Sequence, residues 1–195
     1  MYMKKLLTVA LVTFLVAGCV PSWNPLYTDK DLVFDPQLVG IWKNDDGKES
    51  WQFAKSGEKQ YELVYTDENG RKATFDAHLC KIKERKFLDL YLTKASEKDL
   101  DLNALATATI LPAHLFLRVD EVGASLKMAA VNPDWLEKHL AKNPDAVAHR
   151  KIEKERVVFT AEPRDLQAFV MKHAEGEELF GGPFTLAREA SKQSK

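Results

Sequence analysis

Residues 60–81, QYELVYTDENGRKATFDAHLCK, decide the fold class. Tyr61, Leu63 and Tyr65 fall on one face by alternation and Glu62 on the other, the period of a half-buried strand. Asp67-Glu68-Asn69-Gly70 interrupts the alternation, and Asn-Gly accepts the positive φ that a type I′ turn needs. From Lys72 the period of two resumes, with Phe75, Ala77 and Leu79 on one face and Thr74, Asp76, His78 and Cys80 on the other. Two alternating strands on a tight turn are the unit of an antiparallel sheet.

The same grammar runs outward in both directions. Upstream, residues 38–42 are a short apolar run ended by the turn sequence Asn44-Asp45-Asp46-Gly47, and residues 50–54 follow before a break at Ser56-Gly57. Downstream, a charged turn at residues 83–86 leads into a strand at 87–93. Residues 95–108 read as a polar loop or short helix. Residues 113–122 and 125–131 form a further hairpin turning near Glu121-Val122-Gly123. The result is a meander of about seven or eight strands with short connections.

Beyond Val131 the period changes. Asn132 can cap a helix and Pro133 suits its first position; Trp135, Leu136, His139 and Leu140 share a face before Asn143-Pro144 stops it. A charged stretch and a short strand at 156–160 precede a second helix. It opens at Glu162-Pro163 and runs to about Ala174, with Leu166, Phe169, Val170 and His173 at helical spacing, and Gly176 ends it. Leu179, Phe180 and residues 184–186 are expected to return to the sheet, leaving 189–195 as a loose tail. The expected class is mainly β with two appended helices (α+β), the antiparallel meander closing into a barrel or half-barrel over residues 36–188.

The chain opens with Lys4 and Lys5, an apolar run of about a dozen residues, then Ala17-Gly18-Cys19. A basic start, a short apolar core and small residues at the cut make a secretory signal; the run is too short to span a bilayer as a helix, which takes about 20 residues. Leu15-Val16-Ala17-Gly18-Cys19 resembles the lipobox of bacterial lipoproteins. The resemblance implies cleavage after a signal peptide of residues 1–18, diacylglycerol on the Cys19 sulfur, and acylation of the new amino group. It also implies a cell-envelope location anchored to the membrane. Val20, where an Asp would favour retention in the inner membrane, points to the outer membrane. Residues 19–35 are expected to be the tether, reaching at most about 50 Å when extended. Its rings Trp23, Tyr27 and Phe34 could pack on the domain, or Trp23 and Tyr27 could sit in the headgroup layer, where amphipathic aromatics are favoured.

Composition narrows the function classes. Hydrophobic residues make up 45% and charged residues 29%, as in ordinary globular domains. Loss of Lys4 and Lys5 with the signal makes a formal net charge of −1 more negative by two. Such a chain has no electrostatic footprint for nucleic acid. With Cys19 lipidated, Cys80 has no disulfide partner and is read as a buried small apolar residue.

Gly40-Ile41-Trp42 at the head of the meander resembles the G-x-W signature of lipocalins and related small barrels. The resemblance implies a lipocalin-like barrel whose end Trp42 closes, Gly40 letting chain segments approach, with a ligand cavity. Two further lipocalin motifs are not recognisable, and the two helices depart from the single C-terminal helix of that family. The terminal half reads like that of uncharacterised bacterial lipoproteins.

Motifs for chemistry are absent. There is no G-x-S-x-G elbow, phosphate-binding glycine loop or H-E-x-x-H pair. Asp99-x-Asp101-x-Asn103 starts like a calcium loop, but Ala104 stands where glycine is needed and Ile110 where a bidentate Glu belongs. No metal or cofactor is expected. Alternation permits one polar constellation: His78 with Cys80, Asp89 with Tyr91, and His114 with Phe116 and Arg118 on shared faces. Pointed inward, these would gather metal ligands or a carboxylate clamp. The alternative, favoured by the far more apolar opposite faces, puts them outside while Leu79, Leu88, Leu90, Leu115 and Leu117 fill the core.

The leading expectation is a non-enzymatic binding module for a small apolar ligand or lipid, with Trp51, Tyr61 and Tyr65 lining its cavity. The alternative is a structural or protein-interaction lipoprotein whose barrel is filled by side chains and whose helices dock an envelope partner.

Overall fold

In the computed structural model the described residues are 19–99, 102–107, 109–152, 156–176 and 178–190. The expected signal peptide, residues 1–18, and tail residues 191–195 lie outside them, as does Asp101 of the calcium-like motif.

The meander is realised as seven consecutive antiparallel strands: β2 (Gly40–Lys43), β3 (Ser50–Lys55), β4 (Tyr61–Thr66), β5 (Lys72–Ile82), β6 (Arg85–Leu92), β7 (His114–Val122) and β8 (Ser125–Ala130). An eighth, β11 (Phe184–Arg188), pairs with both β8 and β2 and closes an antiparallel barrel of the lipocalin-like kind. A two-residue strand, β1 (Leu32–Val33), extends the β4 edge by pairing with Cys80 and Leu79 of β5. Gly70 adopts φ 77° in the β4–β5 turn, where the Asn-Gly signal placed it. The stretch at 95–108 yields two short helices, α1 (Lys94–Lys98) and α2 (Ala104–Thr107).

Alternation decides which side chains enter the barrel. Trp42, Phe53, Tyr61, Leu63, Ala77, Leu79, Leu88, Leu90, Leu117, Val119, Leu126, Met128 and Leu186 are all buried and, with Leu38, form one contacting cluster. Trp42 closes its end: the indole Nε1 donates to Leu38 O at 2.9 Å, and the Arg188 guanidinium lies over the ring, 4.1 Å from its centroid. Gly40 has φ 141°, and a Cβ there would stand 2.6 Å from Arg188 Nη1. That backbone favours glycine, and a Cβ would push the Arg188 guanidinium aside.

The other face of the β5–β8 wall is covered too. Asn132 caps α3 (Pro133–Lys142) by accepting from Trp135 N at 3.1 Å. The connection to α4 (Pro163–His173) is a hairpin, β9 (His149–Ile152) and β10 (Arg156–Phe159). Leu136 and Leu140 of α3 and Leu166, Phe169 and Val170 of α4 join Cys80, Ile82, Phe87, Phe116 and Ala129 from the wall in a second core. Residues 87–90 and 116–119 are therefore buried on both faces. Both helices spend their apolar faces on the barrel.

The stretch expected as a tether is built into this second layer. Ser22 exchanges backbone hydrogen bonds with His114 at 2.8 Å each way, while Phe159 N donates to Pro21 O and Trp23 N to Phe159 O. Val20, Ser22 and Leu26 are buried, and Gln167 of α4 donates to Leu26 O at 2.8 Å. Fully burying Leu26 alone contributes about 1.5–3 kcal/mol. The slack of an extended linker is absent from residue 20 onward.

Candidate functional site

Strand register assembles the site. On β5, β6 and β7, His78 lies opposite Asp89, and Tyr91 opposite His114. All four, with Asp76, point away from the barrel axis, so the polar constellation forms on the outside, as the apolar opposite faces implied. The N-terminal segment crosses it and supplies Trp23 and Tyr27. Together with Leu111 and Pro112 from the β6–β7 connection, these residues line an open cleft of about 380 Å³.

Asp89 is its anchor point. Its side chain is fully buried; Oδ2 accepts from Leu26 N at 2.9 Å, and Oδ1 lies 2.6 Å from His114 Nδ1. With the carboxylate accepting, His114 donates through Nδ1, and Nε2 is the ring's remaining polar atom. The Tyr91 ring packs on His114 with centroids 4.7 Å apart. Tyr27 shares a 3.2 Å hydrogen bond with His78 Nδ1, and the two rings pack with centroids 4.8 Å apart, tilted by 35°. Burial pushes the Tyr27 hydroxyl up to about 12, helped by the charge of Asp89. Burial also lowers His78 below its ordinary value, keeping it neutral near pH 7. Asp76 accepts from Gln60 Nε2 at 3.0 Å.

An imidazole oriented by a buried carboxylate is half of a catalytic arrangement. The other half of that arrangement is a serine, threonine or cysteine nucleophile, and the residues lining the cleft include none of these; its hydroxyls are those of Tyr27 and Tyr91. Ser22 is next door, but its hydroxyl donates to Asn24 O at 2.6 Å. Cys80 is buried in the second core with its thiol pushed up by desolvation. Among the described residues no group of three or more His, Cys, Asp or Glu could hold a metal ion. The arrangement suits binding through aromatic faces, imidazole and carboxylate.

The structure separates Arg118 from this cluster. Its guanidinium pairs with Asp120 at 2.7 Å, donates to Ala174 O and Gly176 O, and lies over Phe180. It pins the end of α4 to the wall. Nor do Trp51, Tyr61 and Tyr65 line either the cleft or the smaller one near Glu84 and Arg118. Tyr61 is fully buried, its hydroxyl bonded to the backbone of Asp35 and its ring stacked on Phe34 at 4.9 Å. Trp51 meets Tyr65 edge-on at 5.2 Å and Phe184 at 6.2 Å, as packing at the barrel's end. His139 and His173 sit in a ring cluster with Trp135 and Phe169 between the helices.

Sequence reasoning read Trp23 and Tyr27 as rings that pack on the domain or sit in the headgroup layer, and did not join them to the polar constellation because they stood in the expected tether. Their aromatic character, which a plain linker lacks, marked them as contact residues but not what they contact. Cys19 is exposed, immediately ahead of buried Val20. Compared with family models, curated proteins and solved structures, the chain matches none.

Proposed function

We propose that this chain is a lipoprotein of the cell envelope, acylated on Cys19, anchored in the outer membrane and acting without catalysis as a binding and interaction module. The carrying observation is the occupied barrel: Trp42, Phe53, Tyr61, Leu79, Leu88, Leu126 and Met128 fill the axis where an apolar ligand would sit. A filled barrel is a rigid scaffold, so recognition falls to its outside, where the cleft of Trp23, Tyr27, His78 and His114 is preformed. The lipobox at residues 15–19 supports the anchor, and the aromatic and imidazole lining of the cleft supports a binding role. Partners of this reading are the membrane, through the lipid on Cys19, a small molecule or lipid headgroup at the cleft, and an envelope protein on the rest of the surface.

Native mass spectrometry of the protein purified in detergent from its native host tests this. The expected result is a chain beginning at an acylated Cys19 with no apolar molecule retained after solvent extraction. A stoichiometric lipid or other apolar ligand within the barrel would overturn the filled-scaffold reading in favour of a transport or storage module. Crosslinking in intact cells from the surface away from the cleft then identifies a protein partner.

A further inference from the structure

We propose that the face carrying Trp23 and Leu111 lies on the bilayer surface, so that the domain rests flat against zwitterionic headgroups instead of hanging from its anchor. This rests on the acylation of Cys19 proposed above.

The first argument is reach. Val20 and Ser22 are buried, and residues 21–23 are bonded to both β7 and β10, so Cys19 is the last residue with freedom to move. Trp23 is four residues on, at most about 14 Å of extended chain away. Each headgroup layer is roughly 5–7 Å thick, so an anchored Cys19 keeps Trp23 within or just above that layer.

The second argument is what that surface displays. Five large apolar side chains are exposed among the described residues: Trp23, Leu102, Leu105, Leu111 and Ile152. Trp23 (57% exposed) and Leu111 (63%) line the same cleft, and Leu102 and Leu105 belong to the same β6–β7 connection as Leu111. A tryptophan beside exposed leucines is the composition favoured at a membrane interface. The third argument is charge. Asp76 lies in the cleft, and the charges of Asp29, Asp76 and Asp89 all act on Tyr27. That field suits a headgroup whose outermost group is an ammonium, beside aromatic faces that also attract cations.

The test uses the full-length acylated protein in vesicles of phosphatidylethanolamine and phosphatidylcholine. Leu111→Cys gives a single accessible thiol for an environment-sensitive fluorophore, because Cys80 is buried and Cys19 is blocked. The control is Glu84→Cys, in the β5–β6 turn. Glu84 stands seven residues from Tyr91 along the sheet, roughly 23 Å. The expected result is that nitroxides on the headgroups extinguish most of the emission at position 111 and little at 84, and that Trp23→Ser weakens the quenching at 111. Equal quenching at both positions on acylated, vesicle-bound protein overturns the orientation alone. An intact mass without acyl chains on Cys19 refutes the anchor and this orientation with it.

Discussion

Replacing Asp89 by alanine should loosen the N-terminal segment before it unfolds the barrel. The buried carboxylate holds two groups, Leu26 N–H at 2.9 Å and His114 Nδ1 at 2.6 Å. Alanine strands the Leu26 donor, at a cost of about 1–3 kcal/mol, and deletes a charge-assisted bond worth about 1.5–3 kcal/mol. Together these amount to about 4 kcal/mol, or roughly 10 °C in Tm for a chain of this size. Asparagine keeps one acceptor for Leu26, so Asp89→Asn should cost clearly less than Asp89→Ala. Thermal unfolding by circular dichroism gives the magnitudes, and amide hydrogen exchange locates them. Protection at Ser22 and Leu26 should fall further than at Leu63 or Leu88 inside the barrel. A Tm within about 1 °C of wild type, with Leu26 still protected, would refute the role given to this carboxylate.

Three further predictions concern the barrel, its end and pH. Leu126→Ala, in the occupied axis, should cost about 2–5 kcal/mol by urea unfolding; a cost under about 1 kcal/mol would mean the interior has room. Gly40→Ala should destabilise by more than about 1 kcal/mol, because φ 141° is strained for alanine and the Cβ displaces Arg188 from Trp42; an unchanged Tm would count against that closure. His173 is held below its ordinary value by burial, with His139 and Lys172 adding to the effect, and its Nε2 is buried without a partner. The unfolded chain therefore binds the extra proton first. Stability should be full above about pH 6.5 and fall as pH drops from there toward the lowered folded value. His173→Phe should flatten that slope in a Tm series from pH 8 to pH 5, and an equally steep variant would exclude His173 as its source.

The barrel was legible because each of its strands keeps one apolar face, and Asn69-Gly70 and Asn132-Pro133 mark a turn and a helix start with local chemistry. The second core was harder to see. Phe87-Leu88-Asp89-Leu90 and Phe116-Leu117-Arg118-Val119 are buried on both faces, and a strand covered on both sides loses the alternation that announces a solvent face. Asp89 and Arg118 masked the outer burial: Asp89 is satisfied by partners far away in sequence, and Arg118, paired locally with Asp120, is buried by donating to carbonyls at the end of α4. Leu26 N–H, His114, Ala174 O and Gly176 O carry no local signal of that pairing. Strand β9 was missed for a related reason: His149 to Ile152 is a charged, exposed stretch that exists as a strand only because β10 pairs with it.

The order in which staves close the barrel has a consequence for synthesis. The stave between β2 and β8 is β11, which comes from residues 184–188, while β2 is at residues 40–43. A chain emerging from its N-terminus can form the meander but not the ring. Until residues 184–188 arrive, β2 and β8 present open edges, each able to recruit a strand from another copy. Ring closure spans almost the whole chain, so it comes late and slowly. A nascent copy stalled short of residue 184 is therefore an aggregation hazard, and holding it extended until its final strand is released is a requirement written into the topology.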